Sequence, residues 1–153
     1  MEHALKHDLI FVVGRTASGK STVASRLLSQ GGRQYVYLET SDVIKKITGD
    51  WKRSNIAFRP ELDVAVVEAI KKELQYNNVI VSGTRQWSII EPFADFATII
   101  WVSVPFAKRE AFFKGRADAS DDVTLKDIDD RDNALGIEEI ARQVALREQQ
   151  WGE

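Results

Sequence analysis

Short apolar runs alternate with longer stretches of mixed polarity along most of the chain. Four runs are rich in strand-forming residues and predict β-strands over residues 9–13, 35–40, 79–82 and 98–104. The first is unbroken, which is typical of a strand buried on both faces. Between the runs, apolar residues recur at helical spacing, as in the stripe formed by Leu62, Val66 and Ile70. This alternation predicts an α/β fold with a parallel sheet covered by helices on both faces.

Residues that begin and end helices mark the bounds of the predicted helices. Pro60 suits the first position of a helix, and Thr124 with Asp127 three residues later forms a capping-box pattern. Phe112 and Phe113 are predicted to pack inward from their helix. Helices are predicted over 21–30, 43–47, 61–76, 106–115, from 124, and from 137 to about 150, with a short helix or helical turn over 86–96.

The most informative motif lies between the first strand and the first helix. Residues 14–21 fit G-x-x-x-x-G-K-[ST], the phosphate-binding loop called Walker A. Gly14 and Gly19 allow the backbone to turn and to approach a phosphate chain closely. Lys20 supplies a charge for the β- and γ-phosphates, the Ser21 hydroxyl is a ligand for Mg²⁺, and the helix N-terminus adds partial positive charge. The predicted nucleotide-binding residues are Gly14, Arg15, Thr16, Ala17, Ser18, Gly19, Lys20, Ser21 and Thr22.

Two polar residues follow later strands, at the sheet edge where open α/β folds bind ligands. Asp42 is either a helix cap or a carboxylate that orients an acceptor or takes its proton. Arg85, which ends a Gly-x-Arg sequence, is either a surface residue or a clamp for a phosphate. Many phosphate-loop enzymes hold Mg²⁺ with an Asp on this strand, where this chain has Ser82 and Thr84. Ser21 is therefore the one metal ligand that we predict.

Two further stretches combine cations with acidic or aromatic residues. The first, residues 51–60, is either a surface loop or an acceptor site with cations for an anion and aromatic rings for a base. The second, at about 114–133, is either a solvated pair of helices or a mobile lid, in which Arg116 and Arg131 neutralise phosphate charge and exclude water. The candidates in the first stretch are Trp51, Lys52, Arg53, Phe58 and Arg59.

The length, net charge and cysteine content exclude several classes of protein and of binding site. The length of 153 residues predicts a single domain spanning 1–153. A net charge of −2 gives no overall attraction to nucleic acid or to an anionic membrane, so neither is an expected partner. The chain has no cysteine, which excludes disulfides and thiolate metal sites. No run resembles a signal peptide or a membrane helix, so we expect a cytoplasmic protein, with the oligomeric state left open.

The chain resembles the adenylate kinase-like branch of the P-loop kinases, near dephospho-CoA kinase and phage deoxynucleoside monophosphate kinase. The resemblance is carried by residues 14–21, 81–85 and 121–137 and covers most of the chain. It implies a three-layer α/β/α P-loop fold with strand order 2-3-1-4, the fifth strand of the relatives being absent here. It also implies that Asp42 and Arg85 serve the acceptor and that Arg116 is a lid arginine over the donor phosphates.

The motifs and the resemblance together predict a phosphotransferase that uses ATP and Mg²⁺. Its predicted catalytic residues are Lys20, Asp42, Arg85 and Arg116. The expected acceptor is a nucleoside monophosphate or a similar small nucleotide-like molecule. Two alternatives stay open: transfer to a ribose hydroxyl, as in dephospho-CoA kinase, and a nucleotide-binding regulatory module or ATPase that has no acceptor.

Overall fold

The computed structural model describes residues 7–30, 35–48, 60–115 and 124–151. It confirms the predicted alternation of strands and helices. The strands are β1 (Leu9–Gly14), β2 (Tyr35–Glu39), β3 (Asn78–Ser82) and β4 (Thr98–Val102). The helices are α1 (Lys20–Gln30), α2 (Thr40–Thr48), α3 (Pro60–Leu74), α4 (Trp87–Ile90), α5 (Phe106–Lys114), α6 (Leu125–Leu135) and α7 (Ile137–Trp151), and a 3₁₀ turn (Glu91–Phe93) follows α4.

All pairings within the sheet are parallel, and the strand order is β2-β3-β1-β4, as predicted. β1 lies in the centre, with Leu9 opposite Val79 of β3 and Ile10 opposite Thr98 of β4. Within the described residues the sheet has four strands, and α7 is the last element. Because the strands are parallel, their carboxyl ends meet at one edge, where the loops after β1, β2 and β3 come together.

Alternate residues of the strands build two apolar layers, one on each face of the sheet. Phe11 and Val13 face the larger layer, which contains side chains of α3, α4 and α7. Val12, between them, faces the smaller layer, which contains side chains of α1. Side chains that alternate between two covered faces explain why β1 reads as a continuous apolar run.

The start of α2 differs from the prediction. The helix begins at Thr40, immediately after β2, rather than at Val43. The buried Thr40 side chain lies 3.0 Å from the hydroxyl oxygen of Thr84, which ties the strand-to-helix junction to the end of β3. Asp42 therefore lies within the first turn of the helix.

The prediction for the two phenylalanines of α5 is half right. Phe113 is buried, in a small cluster with Leu125 and Ile128 of α6. Phe112 was predicted to be buried too, but it is 55 % exposed. The two residues are adjacent on the helix, so they point about 100° apart, and α6 covers only one of them. None of the described helices is long and apolar enough to cross a membrane.

Candidate phosphate-binding site

The loop between β1 and α1 is folded tightly around Gly14. A Cβ atom at Gly14 would lie 2.7 Å from the carbonyl oxygen of Val102 and 2.9 Å from Ser18 Oγ, so no side chain fits. Ala17 and Gly19 adopt positive φ angles of 63° and 88°, which turn the chain back toward α1. The result is a compact loop in which the Ser18 N–H donates to the carbonyl of Arg15 at 3.2 Å.

A cavity of about 680 Å³ opens over this loop and the start of α1. Lys20 lies at its floor and donates a hydrogen bond from Nζ to the carbonyl oxygen of Arg15, at 2.8 Å. Ser18 Oγ is buried and has no hydrogen-bond partner among the described residues. The cavity is lined by Thr16, Ala17, Ser18, Gly19, Lys20, Ser21, Thr22, Glu39, Ser41, Ser82, Gly83, Arg85 and Phe112.

The carboxylate that faces the phosphate loop belongs to Glu39, the last residue of β2. Glu39 pairs in register with Ser82, and its carboxylate lies against Gly83 so closely that a Cβ atom there would collide with it. Gly83 also has a φ of +83°, which a residue with a side chain rarely adopts. Sequence reasoning missed Glu39, although its position at the end of a strand was the signal for it.

Asp42 lies beside this cavity rather than in it. It is exposed on α2 and lines a neighbouring cavity of about 540 Å³ together with Tyr37, Lys45 and Lys46. Glu39 lines both cavities and therefore separates them. The predicted acceptor role of Asp42 thus requires an acceptor that extends past Glu39.

Tyr37 lies two residues before Glu39 on the same face of β2. Its hydroxyl donates to Glu39 Oε1 at 2.8 Å. Burial raises the pKa of Tyr37 to about 12, and the neighbouring Glu39 carboxylate contributes to the rise, while a hydrogen bond with Ser82 opposes it. The Glu39 carboxylate is therefore held by a hydroxyl that stays protonated at neutral pH.

Arg85, which follows β3, lines the same cavity as the phosphate loop. Its Nε donates to Asp132 Oδ1 at 2.7 Å, and its Nη1 donates to the carbonyl of Gly83 at 3.0 Å. The guanidinium is therefore held at the rim of the cavity by an acidic residue from α6, a partner that lies 47 residues away in the chain.

Helix α6 also binds the phosphate loop directly. The Thr16 hydroxyl donates to Asp132 Oδ2 at 3.3 Å, and Arg15 Nη1 donates to Asn133 Oδ1 at 2.8 Å. The helix starts with the predicted capping box, in which Thr124 and Asp127 exchange hydrogen bonds. The helix is thus capped at one end and bonded to the phosphate loop near the other.

A buried ion pair between α5 and α6 supports the same loop. Arg109 donates two hydrogen bonds to the Asp129 carboxylate, at 3.0 and 2.8 Å, and a third to the carbonyl of Thr16 at 3.2 Å. Its guanidinium also lies 5.4 Å from the centre of the Phe106 ring. Sequence reasoning missed this contact, because no local pattern links Arg109 to Thr16, 93 residues earlier.

Several predicted residues lie outside the described part of the chain. Arg116 is one, and the proposed lid at 114–133 is therefore described only in part. The described part of that segment includes α6, which is bonded to the phosphate loop. Arg131, on this helix, is half-buried and is not among the described residues that line the cavity. Also outside are Trp51, Lys52, Arg53, Phe58 and Arg59.

A known family model matches most of the chain. Residues 9–134 match the AAA_33 family, described as an AAA domain. The chain belongs to this family. No sequence among curated proteins matches the chain.

Several solved structures share the fold. A chain of the Pnkp1/Rnl/Hen1 RNA repair complex is 18 % identical with a TM-score of 0.62, and the match covers 84 % of this chain but only 44 % of that one. Shikimate kinase from Acinetobacter baumannii is 16 % identical with a TM-score of 0.58, over 82 % of this chain and 74 % of that one. A sugar kinase from Janibacter sp. is 12 % identical with a TM-score of 0.61, over 84 % and 78 %. The predicted fold of a small P-loop kinase is thereby confirmed.

Proposed function

We propose that the protein transfers the γ-phosphoryl group of ATP to a small acceptor bound at the carboxyl edge of the sheet. The observation that supports this is a single cavity that is lined by the phosphate loop together with Glu39 and Arg85. A carboxylate facing a polyphosphate is repelled by it unless a metal ion or an acceptor proton lies between them. Glu39 therefore suits a cavity in which a metal ion, an acceptor group or both accompany the nucleotide.

The residues of the donor side fit a magnesium nucleotide. The cavity volume of about 680 Å³ is typical of small-molecule sites. The loop N–H groups and Lys20 are suited to hold the β- and γ-phosphates. Ser21 offers a hydroxyl and Glu39 a carboxylate, which are the oxygen ligands that Mg²⁺ prefers. When bound, Mg²⁺ neutralises charge on the phosphate oxygens.

A nucleoside monophosphate is the acceptor that Arg85 favours. Its guanidinium is one of two cationic side chains among the described residues that line the cavity, the other being Lys20 of the loop. A guanidinium binds a phosphate through parallel hydrogen bonds, and one in the same cavity as the loop would hold an acceptor phosphate near the donor. The two phosphates would then be aligned for in-line transfer, in which positioning supplies most of the rate acceleration.

An acceptor hydroxyl is the second candidate, and Glu39 favours it. Transfer to a hydroxyl requires a group that takes its proton, and a carboxylate within the cavity is such a group. The hydrogen bond from Tyr37 holds one oxygen of Glu39 and leaves Oε2 directed at Gly83, on the cavity side of the strand. The two candidates differ in the chemical group that receives the phosphoryl group.

Phosphate transfer from ATP and Mg²⁺ to a panel of acceptors tests the proposal, with the products identified by mass spectrometry. The panel contains each ribo- and deoxyribonucleoside monophosphate, nucleosides, dephospho-CoA, shikimate and simple sugars. It also contains a short RNA with a 5′-hydroxyl end, because one similar structure belongs to an RNA repair complex. The Lys20→Ala variant is the control for transfer that depends on the loop.

The outcomes separate the candidates. A nucleoside diphosphate as the product supports the monophosphate acceptor, and a phosphorylated hydroxyl supports the second candidate. Either product should disappear with Lys20→Ala, and full transfer by that variant would contradict the proposed mechanism. Tight ATP binding by calorimetry without any product would instead favour a nucleotide-binding module, and acceptor-independent release of phosphate would favour an ATPase.

A further inference from the structure

Asp132 is a carboxylate that accepts hydrogen bonds from two residues that line the cavity. It lies on α6 and is only 2 % exposed. Each of its oxygens accepts one hydrogen bond: Oδ1 from Arg85 at 2.7 Å and Oδ2 from Thr16 at 3.3 Å. Burying a polar group is costly unless it is paired and hydrogen-bonded, so these two contacts offset the cost of burying the carboxylate.

The two partners of Asp132 come from different elements, and both line the cavity. Thr16 is part of the phosphate loop, and Arg85 follows β3, the strand next to β1. One side chain from a third element therefore links the place where donor phosphates bind to the guanidinium proposed to bind the acceptor. A shift of the loop would be passed to Arg85 through a single carboxylate.

The contacts of Arg85 also determine which of its nitrogens face a ligand. Nε is taken by Asp132, and Nη1 by the carbonyl of Gly83. Because the guanidinium is planar and rigid, two fixed donors determine its orientation. In the described part of the chain, these bonds use two of the five N–H donors and leave two on Nη2 and one on Nη1 for an anion in the cavity.

We infer that Asp132 is a positioning residue that orients the Arg85 guanidinium for the acceptor and fixes its position relative to the phosphate loop. The inference rests on the proposed function, since it takes Arg85 to contact the acceptor. It differs from a purely structural role, in which Asp132 would only hold α6 against the loop and would leave acceptor binding unchanged once the protein is folded.

The test compares substitutions at two aspartates of the same helix. Asp132→Ala removes both contacts, whereas Asp132→Asn keeps one oxygen that can accept from Arg85. Asp130→Ala is the matched control, because Asp130 is exposed and its partner in the described part of the chain is Lys126, on the surface. Each variant is measured for thermal unfolding, for ATP binding by calorimetry, and for kcat and KM with the acceptor found in the transfer panel.

The expected result is a selective loss of acceptor binding. Asp132→Ala should raise the KM for the acceptor about tenfold or more, as expected for one lost hydrogen bond to a charged group. Its Kd for ATP should rise less than the acceptor KM does, because the bonds of Arg15 to Asn133 and of Arg109 to Thr16 still hold the loop. Asp132→Asn should recover most of the acceptor KM. In an Arg85→Ala background, Asp132→Ala should raise the KM no further, because the two residues act as a unit.

A second readout does not depend on turnover. In an NMR spectrum, the Nε–H resonance of Arg85 can be assigned by its absence in Arg85→Lys. It should shift or be lost in Asp132→Ala and stay unchanged in Asp130→Ala. If Asp132→Ala does not fold, the same comparisons are made with Asp132→Asn, whose smaller rise in KM must still vanish when Arg85 is replaced by alanine.

Failure of the inference and failure of the proposed function give different results. Suppose that the parent protein transfers phosphate to no acceptor but that the Arg85 resonance responds as expected. This would contradict the proposed function and still support the contact between Asp132 and Arg85. An unchanged Arg85 resonance in Asp132→Ala, or a KM effect that persists without Arg85, would overturn the positioning role. Lower stability with unchanged KM would also overturn it and leave Asp132 a structural residue.

Discussion

At the scale of single residues, Glu39 and Asp42 lie three positions apart in the chain, but only Glu39 lines the phosphate-loop cavity. Glu39 ends β2 and lines the phosphate-loop cavity, whereas Asp42 is exposed one turn along α2 and lines the neighbouring cavity. The strand-to-helix junction causes the difference, because α2 begins at Thr40 and rotates Asp42 away from the loop. Glu39 is therefore the better candidate for a residue that acts at the donor phosphates.

Paired substitutions at these two positions test this distinction. Glu39→Gln should lower the rate of transfer to a hydroxyl acceptor by about 100-fold, at the lower end of the effects of general base catalysis. Asp42→Asn should change the rate much less, because its side chain does not line that cavity. Steady-state kinetics with the identified acceptor measures both. A larger effect at Asp42 than at Glu39 would show that the acceptor reaches past Glu39 to the second cavity.

The backbone of Val102 lies so close to Gly14 that even a methyl side chain at this position should destabilise the fold. Gly14→Ala places a Cβ atom 2.7 Å from the backbone of Val102, which cannot give way easily. We expect a loss of about 1–3 kcal/mol of unfolding free energy, with weaker ATP binding. Urea denaturation and calorimetry measure the two effects. Gly115→Ala is the control, since a Cβ atom there would come no closer than 3.7 Å to Phe112, and equal losses in the two variants would refute the steric explanation.

The raised pKa of Tyr37 predicts a change of stability at alkaline pH. Burial raises this pKa to about 12 in the folded protein, whereas an unfolded tyrosine has a pKa of about 10. The protonated form is thus favoured by folding, and its contribution is fully present below about pH 10 and is lost as the pH rises toward 12. Denaturation of the parent and of Tyr37→Phe between these pH values should show a steeper decline for the parent.

A spectroscopic titration checks the same prediction directly. The difference in phenolate absorbance between the parent and Tyr37→Phe should show a midpoint at about pH 12. Tyr76→Phe serves as the comparison, because Tyr76 is 73 % exposed. A midpoint near pH 10 for Tyr37 would mean that its hydroxyl is solvated rather than held against Glu39.

At the scale of elements, α5 and α6 act as a brace for the phosphate loop. The brace consists of the Arg109–Asp129 ion pair, whose side chains are only 6 % and 14 % exposed, and of the contacts that α6 makes with residues 15 and 16. These contacts hold the carbonyl and side-chain groups of the loop. The loop is therefore shaped before any ligand binds, which reduces the entropy that binding must overcome.

Breaking the brace should destabilise the protein strongly. Asp129→Ala leaves the buried Arg109 without its carboxylate partner, and we expect a loss of about 3–5 kcal/mol of unfolding free energy. Asp130→Ala, at the next residue on the same helix, breaks an exposed pair and should cost no more than about 1 kcal/mol. Urea denaturation of the two variants measures the difference, and similar losses would mean that the Arg109 contact contributes little.

At the scale of the whole molecule, the phosphate loop joins the sheet, α1 and α6, so a ligand at the loop should stabilise the entire fold. A ligand that binds only the folded state at about 100 times its Kd raises the free energy of unfolding by about 2.7 kcal/mol. Thermal unfolding with ATP and Mg²⁺ should therefore shift upward for the parent. It should shift little for Lys20→Ala, and an equal shift in that variant would place the nucleotide elsewhere.

The sequence by itself predicted the strands, most helices, the phosphate loop and the strand order implied by the resemblance. These features were predictable because they depend on local patterns: apolar runs, helix caps and the fixed spacing of the Walker motif. The capping box at Thr124 is one example, since both partners lie within one turn of α6.

Only the tertiary structure decided which polar residues share the cavity and what holds them there. Asp132 meets Thr16 across 116 residues and Arg85 across 47, and no periodicity along the chain encodes such pairs. The inward prediction for Phe112 failed for the same reason, because burial depends on whether another element covers that face of the helix. The residues of the phosphate loop are thus specified by a local sequence motif. The residues that orient its side chains are brought to it by the packing of α6 at the edge of the sheet.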